Sequence, residues 1–175
     1  MDITFSNNNT IKISGKSSSI IINPTSAVKA DLLLFTDPSA SRLEQKSFYG
    51  PGEYEVLGAM VDGIEIDKGN TAYSVVSDDI HITYIVDLLA PLSNTQLESM
   101  DGVDILIIAV KDDKADLLNK VISQVEPSVL IPIMIDESEI AKIKAEFGKD
   151  IEPMERYKIT KKDLPLETQE LVLLK

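Results

Sequence analysis

The chain has 175 residues, 29 acidic and 17 basic, with a formal charge of −12; that is one ordinary domain (1–175), long enough to bury roughly 70% of its unfolded surface without a disulfide or metal staple. Its acidity disfavours nucleic acid, whose affinity for proteins comes largely from Lys and Arg displacing counterions. It has no cysteine, which excludes disulfides, thiolate nucleophiles and cysteine metal clusters and fits a reducing compartment. With a strand-like segment directly after Met1 and no apolar run near the roughly 20 residues of a membrane helix, the expectation is a cytoplasmic protein with neither signal peptide nor span.

In chain order, DITFS (2–6) and TIKIS (10–14) alternate apolar and polar residues, placing Ile3 and Phe5, then Ile11 and Ile13, on one face. Asn7, Asn8 and Asn9 between them suit a hairpin, because asparagine tolerates the left-handed backbone of a tight turn. Further strands are expected at SIIIN (19–23), EYEVLG (53–58), AMVDGIEI (59–66), TAYSVVS (71–77) and IHITYIV (80–86), with Ser77, Asp78 and Asp79 forming another hairpin. The front half therefore reads as mostly antiparallel sheet.

The second half changes character. DILIIAV (104–110) and VLIPI (129–133) are unbroken apolar runs, as expected of strands covered on both faces. Leu117, Leu118, Val121, Ile122 and Val125 recur at helical spacing after Ala115, and Ile140, Ile143 and Phe147 do so before Gly148. Ser93 with Gln96 is a capping box flanked by Leu92 and Leu97 as a hydrophobic staple, and Asp136 with Glu139 repeats the pattern. ETQELVLLK (167–175) reads as a closing strand, while the stretch between Pro153 and Pro165 declares no element type. Together these imply an α/β protein of sheets packed face to face with helices outside.

The order of these segments resembles the metallo-β-lactamase superfamily, and within it the small bacterial hydrolases similar to ascorbate-6-phosphate lactonases. MDITFSNNNTIKI resembles the first hairpin, IIINP the second strand and its Asp-Pro, and KADLLLFTDPSAS the strand delivering the metal motif. GPGEYEVLG and GIEI are the most distinctive words; ITYIVDLLAPLSNTQLESMDGVDILIIAV resembles the segment carrying the bridging aspartate, VEPSVLIPIMI the last histidine, and KKDLPLETQELVLL the ending. The resemblance implies a four-layer αββα sandwich with the active site at one edge, where a His-x-His-x-Asp-His pattern and further ligands hold zinc that activates water against an ester, lactone or amide.

This sequence departs from that pattern. The motif window holds Asp37, Pro38, Ser39, Ala40, Ser41 and Arg42; the hairpin histidine falls at or near Asn8, the aspartate of Asp-Pro is Asn23, and the late histidine is Met134. Asp87 alone keeps the expected ligand type. Zinc prefers nitrogen and sulfur donors, three or more from the protein, so no zinc cofactor is expected, and an Arg42 guanidinium in the same turn opposes a divalent ion.

Asp37, Asp87 and Asp136 could form an all-oxygen site for a harder cation, but capping turns and helix starts is the commoner job for such residues. His81, the single histidine, sits mid-strand and reads as structural and partly exposed. Ser39 and Ser41 lie in no Gly-x-Ser-x-Gly elbow and have no visible base. Glu53, Tyr54 and Glu55 read as a solvated strand edge, and Asp112 and Asp113 as acids favouring a helix start. The expected function is a catalytically inactive member kept as a binding or assembly module, with a homo-oligomer, a small molecule or another protein as partner. The alternative is a metal-dependent hydrolase with an oxygen-ligand or unrecognised site.

Overall fold

A computed structural model describes residues 1–6, 9–26, 28–40, 46–67, 69–100, 102–109, 115–133, 141 and 151–175. Two sheets lie face to face. The first contains β1 (Asp2–Ser6), β2 (Thr10–Ser14), β3 (Ser19–Ile22), β4 (Leu32–Phe35), β5 (Ser47–Tyr49) and, later in the chain, β12 (Tyr157–Lys158), in the spatial order β12-β1-β2-β3-β4-β5. The second contains β6 (Gly52–Val56), β7 (Ala59–Glu65), β8 (Thr71–Ser77), β9 (Ile80–Ile85), β10 (Ile105–Ala109), β11 (Val129–Ile133) and β13 (Glu170–Leu171), in the order β13-β11-β10-β9-β8-β7-β6.

The two-residue alternation of the first half puts Ile3, Ile11, Ile13, Ile20, Ile22, Leu32 and Leu34 on the inner face of the first sheet. They meet Val61, Tyr73, Val75, Ile82, Tyr84, Ile107 and Ile131 of the second. Fully burying one such aliphatic side chain stabilises the fold by about 1.5–3 kcal/mol, so this layer dominates cohesion. The unbroken apolar runs have a second use. Leu106, Ile108 and Leu130 point the other way, beneath Leu118 and Val121 of helix α2 (Ala115–Val125) and beside Leu92, which precedes helix α1 (Asn94–Ser99). Strands β9, β10, β11 and β13 are parallel neighbours, as double-sided burial requires.

α1 begins as the sequence indicates: the Ser93 hydroxyl accepts from the Gln96 N–H, and the Gln96 side chain accepts from the Ser93 N–H at 2.8 Å. Among the described residues helices cover only the outer face of the second sheet, and none is long and apolar enough to cross a membrane. The helical spacing at 140–147 and the Asp136–Glu139 box lie outside the described residues.

The front half is mostly antiparallel, as expected, with parallel pairing at β3–β4 and β4–β5. Two expectations change. The closing strand is short: of ETQELVLLK only Glu170 and Leu171 pair in the ladder, with a further bridge from Leu174 to Met154. EYEVLG turns at Leu57 and Gly58, both with positive φ, and starts β7. The stretch between Pro153 and Pro165 supplies β12 and a 3-10 turn at Lys161–Asp163.

GPGEYEV is a structural lock. The chain crosses between sheets at Gly50 and Pro51; the Tyr54 hydroxyl donates to the Gly50 carbonyl at 3.0 Å, and Tyr54 packs on Phe48 with ring centroids 4.3 Å apart. Gly63 pairs with Gly52 across the ladder, and a Cβ on Gly63 would stand 2.8 Å from the Gly50 oxygen. Only a residue without a side chain admits the crossover there. Glu53 and Glu55 are exposed on the edge strand, whereas Tyr54 is tucked inward.

Candidate functional site

The end of β4, the end of β9, the exit from β3 and the turn before β2 converge at one edge of the sandwich. Asn23 leaves β3 through left-handed backbone with φ 54°, which asparagine tolerates better than other side chains. Its Oδ1 accepts from the backbone N–H of Thr36 at 2.9 Å and lies 3.2 Å from the Thr36 hydroxyl. Its Nδ2 donates to that hydroxyl at 3.0 Å and reaches the Tyr84 oxygen at 3.4 Å. Its carbonyl accepts from the Thr10 hydroxyl at 2.7 Å.

Tyr84, fully buried on β9, donates to the Asn9 carbonyl at 2.7 Å, joining the second sheet to the first hairpin. Tyr73 does the same from β8, donating to the Phe35 carbonyl at 2.8 Å. Both phenols are pushed well above their usual range, chiefly because burial penalises the phenolate; Asp87 adds to the effect at Tyr84. Thr71, fully buried at the start of β8, donates its N–H to the Thr36 carbonyl at 2.9 Å, while its own hydroxyl has no partner among the described residues. The Asn9 Oδ1 is likewise buried and without a partner among the described residues. The floor of this edge is therefore a network of neutral amides, hydroxyls and phenols.

Of the residues the sequence brings into question, Asn23 is central to this network. Asp37 and Ser39 are exposed and turned to each other: Asp37 Oδ1 accepts from the Ser39 N–H and hydroxyl, both at 2.7 Å. These bonds, the hydroxyl first, hold the Asp37 carboxyl below its usual range. Pro38 packs towards Gly69, in the β7–β8 loop. Asp87 is half-buried just past β9 with φ 56°, close enough to raise the Tyr84 phenol. Asn8, Ser41, Arg42, Met134 and Asp136, with Asp112 and Asp113, lie outside the described residues.

His81 is half-buried at the opposite end of β9, its backbone N–H donating to the Asp104 carboxylate at 2.9 Å. Six residues of extended chain separate it from Asp87, about 20 Å at about 3.3 Å per residue. Since the whole chain has one histidine and no cysteine, no imidazole or thiolate reaches this edge from any segment. Among the described residues no three His, Cys, Asp or Glu side chains stand close enough to share an ion. The donor chemistry is oxygen with one weakly basic amide, which does not fit zinc.

Thr36, Tyr84, Thr71 and Asn9 carry no local motif that would single them out. Their partners lie far along the chain, 61 residues away for Asn23 with Tyr84 and 75 for Tyr84 with Asn9.

A family model described as the beta-lactamase superfamily domain matches residues 2–134. A search of curated proteins finds no match. Among solved structures, one from Thermotoga maritima, assigned to the Zn-dependent hydrolases of the metallo-beta-lactamase superfamily, superposes with TM-score 0.83 at 18% identity, covering 99% of this chain and 98% of its own. One from Parabacteroides distasonis, assigned as a metal-dependent hydrolase, gives 0.65 at 14% identity, covering 99% and 93%. A metallo-beta-lactamase fold protein from Bacillus subtilis gives 0.63 at 9% identity, covering 99% and 96%. These likenesses concern the fold.

Proposed function

We propose, from the premise that this chain belongs to the beta-lactamase superfamily domain family, that it is a member without zinc chemistry, retained as a binding or assembly module. One observation carries the reading: at the edge where the resemblance implies a metal centre, the Asn23 amide is hydrogen-bonded to both Thr36 and Tyr84, and all three side chains are neutral. A metal site needs lone pairs aimed into a shared space, whereas here the Asn23 amide is spent on Thr36 and Tyr84. The donor inventory of the sequence supports the same conclusion, because no imidazole can be recruited from elsewhere.

The neutral floor also argues against water activation. Near pH 7 the Tyr84 phenol stays protonated, and Asp37, held below its usual range, is a weaker base than an ordinary carboxylate. The reading includes self-association and a cytoplasmic location, the latter supported by the lack of cysteine. Sizing by light scattering tests the first; a monomer contradicts it.

Asp87 favours a second reading, a hydrolase using an oxygen-ligand ion, because it keeps the ligand type of the family and stands half-buried at the cleft. One experiment separates the two: protein purified without chelator is assayed for bound metal and for hydrolysis of lactones, esters and phosphodiesters. Substoichiometric metal with no turnover supports the binding module; stoichiometric metal with turnover supports the hydrolase.

A further inference from the structure

We propose that a hollow on the outer face of the first sheet binds a small phosphomonoester, with Lys12 and Lys29 supplying the charge that meets the phosphate. The hollow has a volume of about 540 Å³, within the roughly 300–1,000 Å³ of small-molecule sites. It lies outside the sandwich interior, and it does not depend on the absence of zinc.

Three observations support it. The first is charge segregation: in a chain with 29 acidic residues, no Asp or Glu among the described residues lines the hollow, while two of the 17 basic residues do. The second is a fixed wall. Pro24, Thr25, Ser26, Val28 and Lys29 line one side of the hollow, and the chain is tied down on either side of them. At one end the Asn23 N–H donates to the Leu34 carbonyl at 2.8 Å; at the other, Asp31 Oδ2 accepts from the Ser19 N–H at 2.8 Å and its hydroxyl at 2.9 Å. The third is an amphipathic lining. Thr4 and Ser6 present hydroxyls from β1, whereas Ile21 and Val28, which belong to a small apolar cluster with Leu33 and Phe35, give an apolar surface. Thr10 also lines the hollow, but its proton is committed to the Asn23 carbonyl, so it offers lone pairs only.

An oxyanion would meet two ammonium groups and the hydroxyl donors of Thr4 and Ser6, the charge-assisted contacts that hold phosphate most strongly. Ile21 and Val28 provide a surface for an apolar group esterified to it. An unesterified anion would leave that surface unused, and a neutral apolar molecule would leave both ammonium groups unmatched.

The test is an amide-resolved NMR titration at constant ionic strength with phenyl phosphate, inorganic phosphate and phenol. The proposal expects saturable shifts at Thr4, Lys12 and Ile21 with phenyl phosphate, weaker binding of inorganic phosphate, and none of phenol. Replacing both cations (Lys12→Gln with Lys29→Gln) should weaken phenyl phosphate about tenfold, whereas Lys120→Gln, on exposed α2 surface, should not. Thermal melts check that each variant is folded. Shifts that stay linear through tens of millimolar, phenol binding as well as the ester, or undiminished binding by the double variant would each overturn the proposal. Zinc found in the cleft would leave it standing.

Discussion

Replacing Asn23 with alanine separates a structural role from a vestigial one. The substitution removes Oδ1, the partner of the Thr36 N–H at 2.9 Å, and Thr36 is only 5% exposed. An unsatisfied buried N–H costs about 1–3 kcal/mol. Alanine must also adopt φ 54° at this position, adding about 1 kcal/mol for a residue with a Cβ and no local hydrogen bond. The sum is about 2–4 kcal/mol, or about 4–16 °C in melting temperature at about 2–4 °C per kcal/mol for a chain of this size. Asn23→Gly removes the same hydrogen bonds but relieves the backbone, so it should melt above the alanine variant by the backbone share alone. Differential scanning calorimetry of the three proteins gives the comparison. An alanine variant melting within about 2 °C of wild type would refute the claim that the neutral floor is a stabilising network.

Gly63→Ala drives a Cβ to 2.8 Å from the Gly50 oxygen and 3.2 Å from the Gly52 nitrogen; overpacking against backbone costs about 1–3 kcal/mol or more, read as a melting loss of at least about 3 °C. Glu53→Lys turns a like-charge pair directly opposite Asp62 into an attractive one, so urea titration should show a gain of about 0.2–1 kcal/mol that shrinks with salt. Asp31 is held below its usual value of 3.8 by hydrogen bonds from Ser19, the backbone bond first. Its folded pKa is thus below its unfolded one, and the stability it contributes is present above pH 3.8 and lost as pH falls through the folded value. The melting gap between wild type and Asp31→Ala should therefore be full at pH 7, narrow below pH 3.8 and close in stronger acid; a gap independent of pH contradicts this.

The strands were legible wherever period-two alternation or a continuous apolar run marks them, because burial on one face or two imposes those patterns directly. β5 and β12 are three and two residues long, too short for a period to show, and they exist because a neighbouring strand offers an edge. ETQELVLLK looks like a full strand because Val172 and Leu173 are apolar, yet they are buried by packing while the ladder itself ends at Leu171. At the site, motif position drew attention to Asn23, Asp37 and Asp87; of these Asn23 lies in the hydrogen-bond network, while Asp37 turns to Ser39, a contact local enough to be anticipated from an Asp-Pro pair. The bonds of Tyr84 to Asn9 and Asn23 were invisible, since nothing within a few residues of a tyrosine in IHITYIV distinguishes it from an ordinary core aromatic. GPGEYEV announced a turn; that the turn requires Gly63 follows only from the pairing of β6 with β7.

The most direct test of the central claim is zinc titration by calorimetry against the wild-type chain and Asp87→Ala, with elemental analysis after dialysis. The account predicts no saturable zinc binding in the micromolar range, substoichiometric metal after dialysis, and no effect of zinc on either melting temperature. One equivalent of zinc retained by the wild type and lost on replacing Asp87 would contradict it.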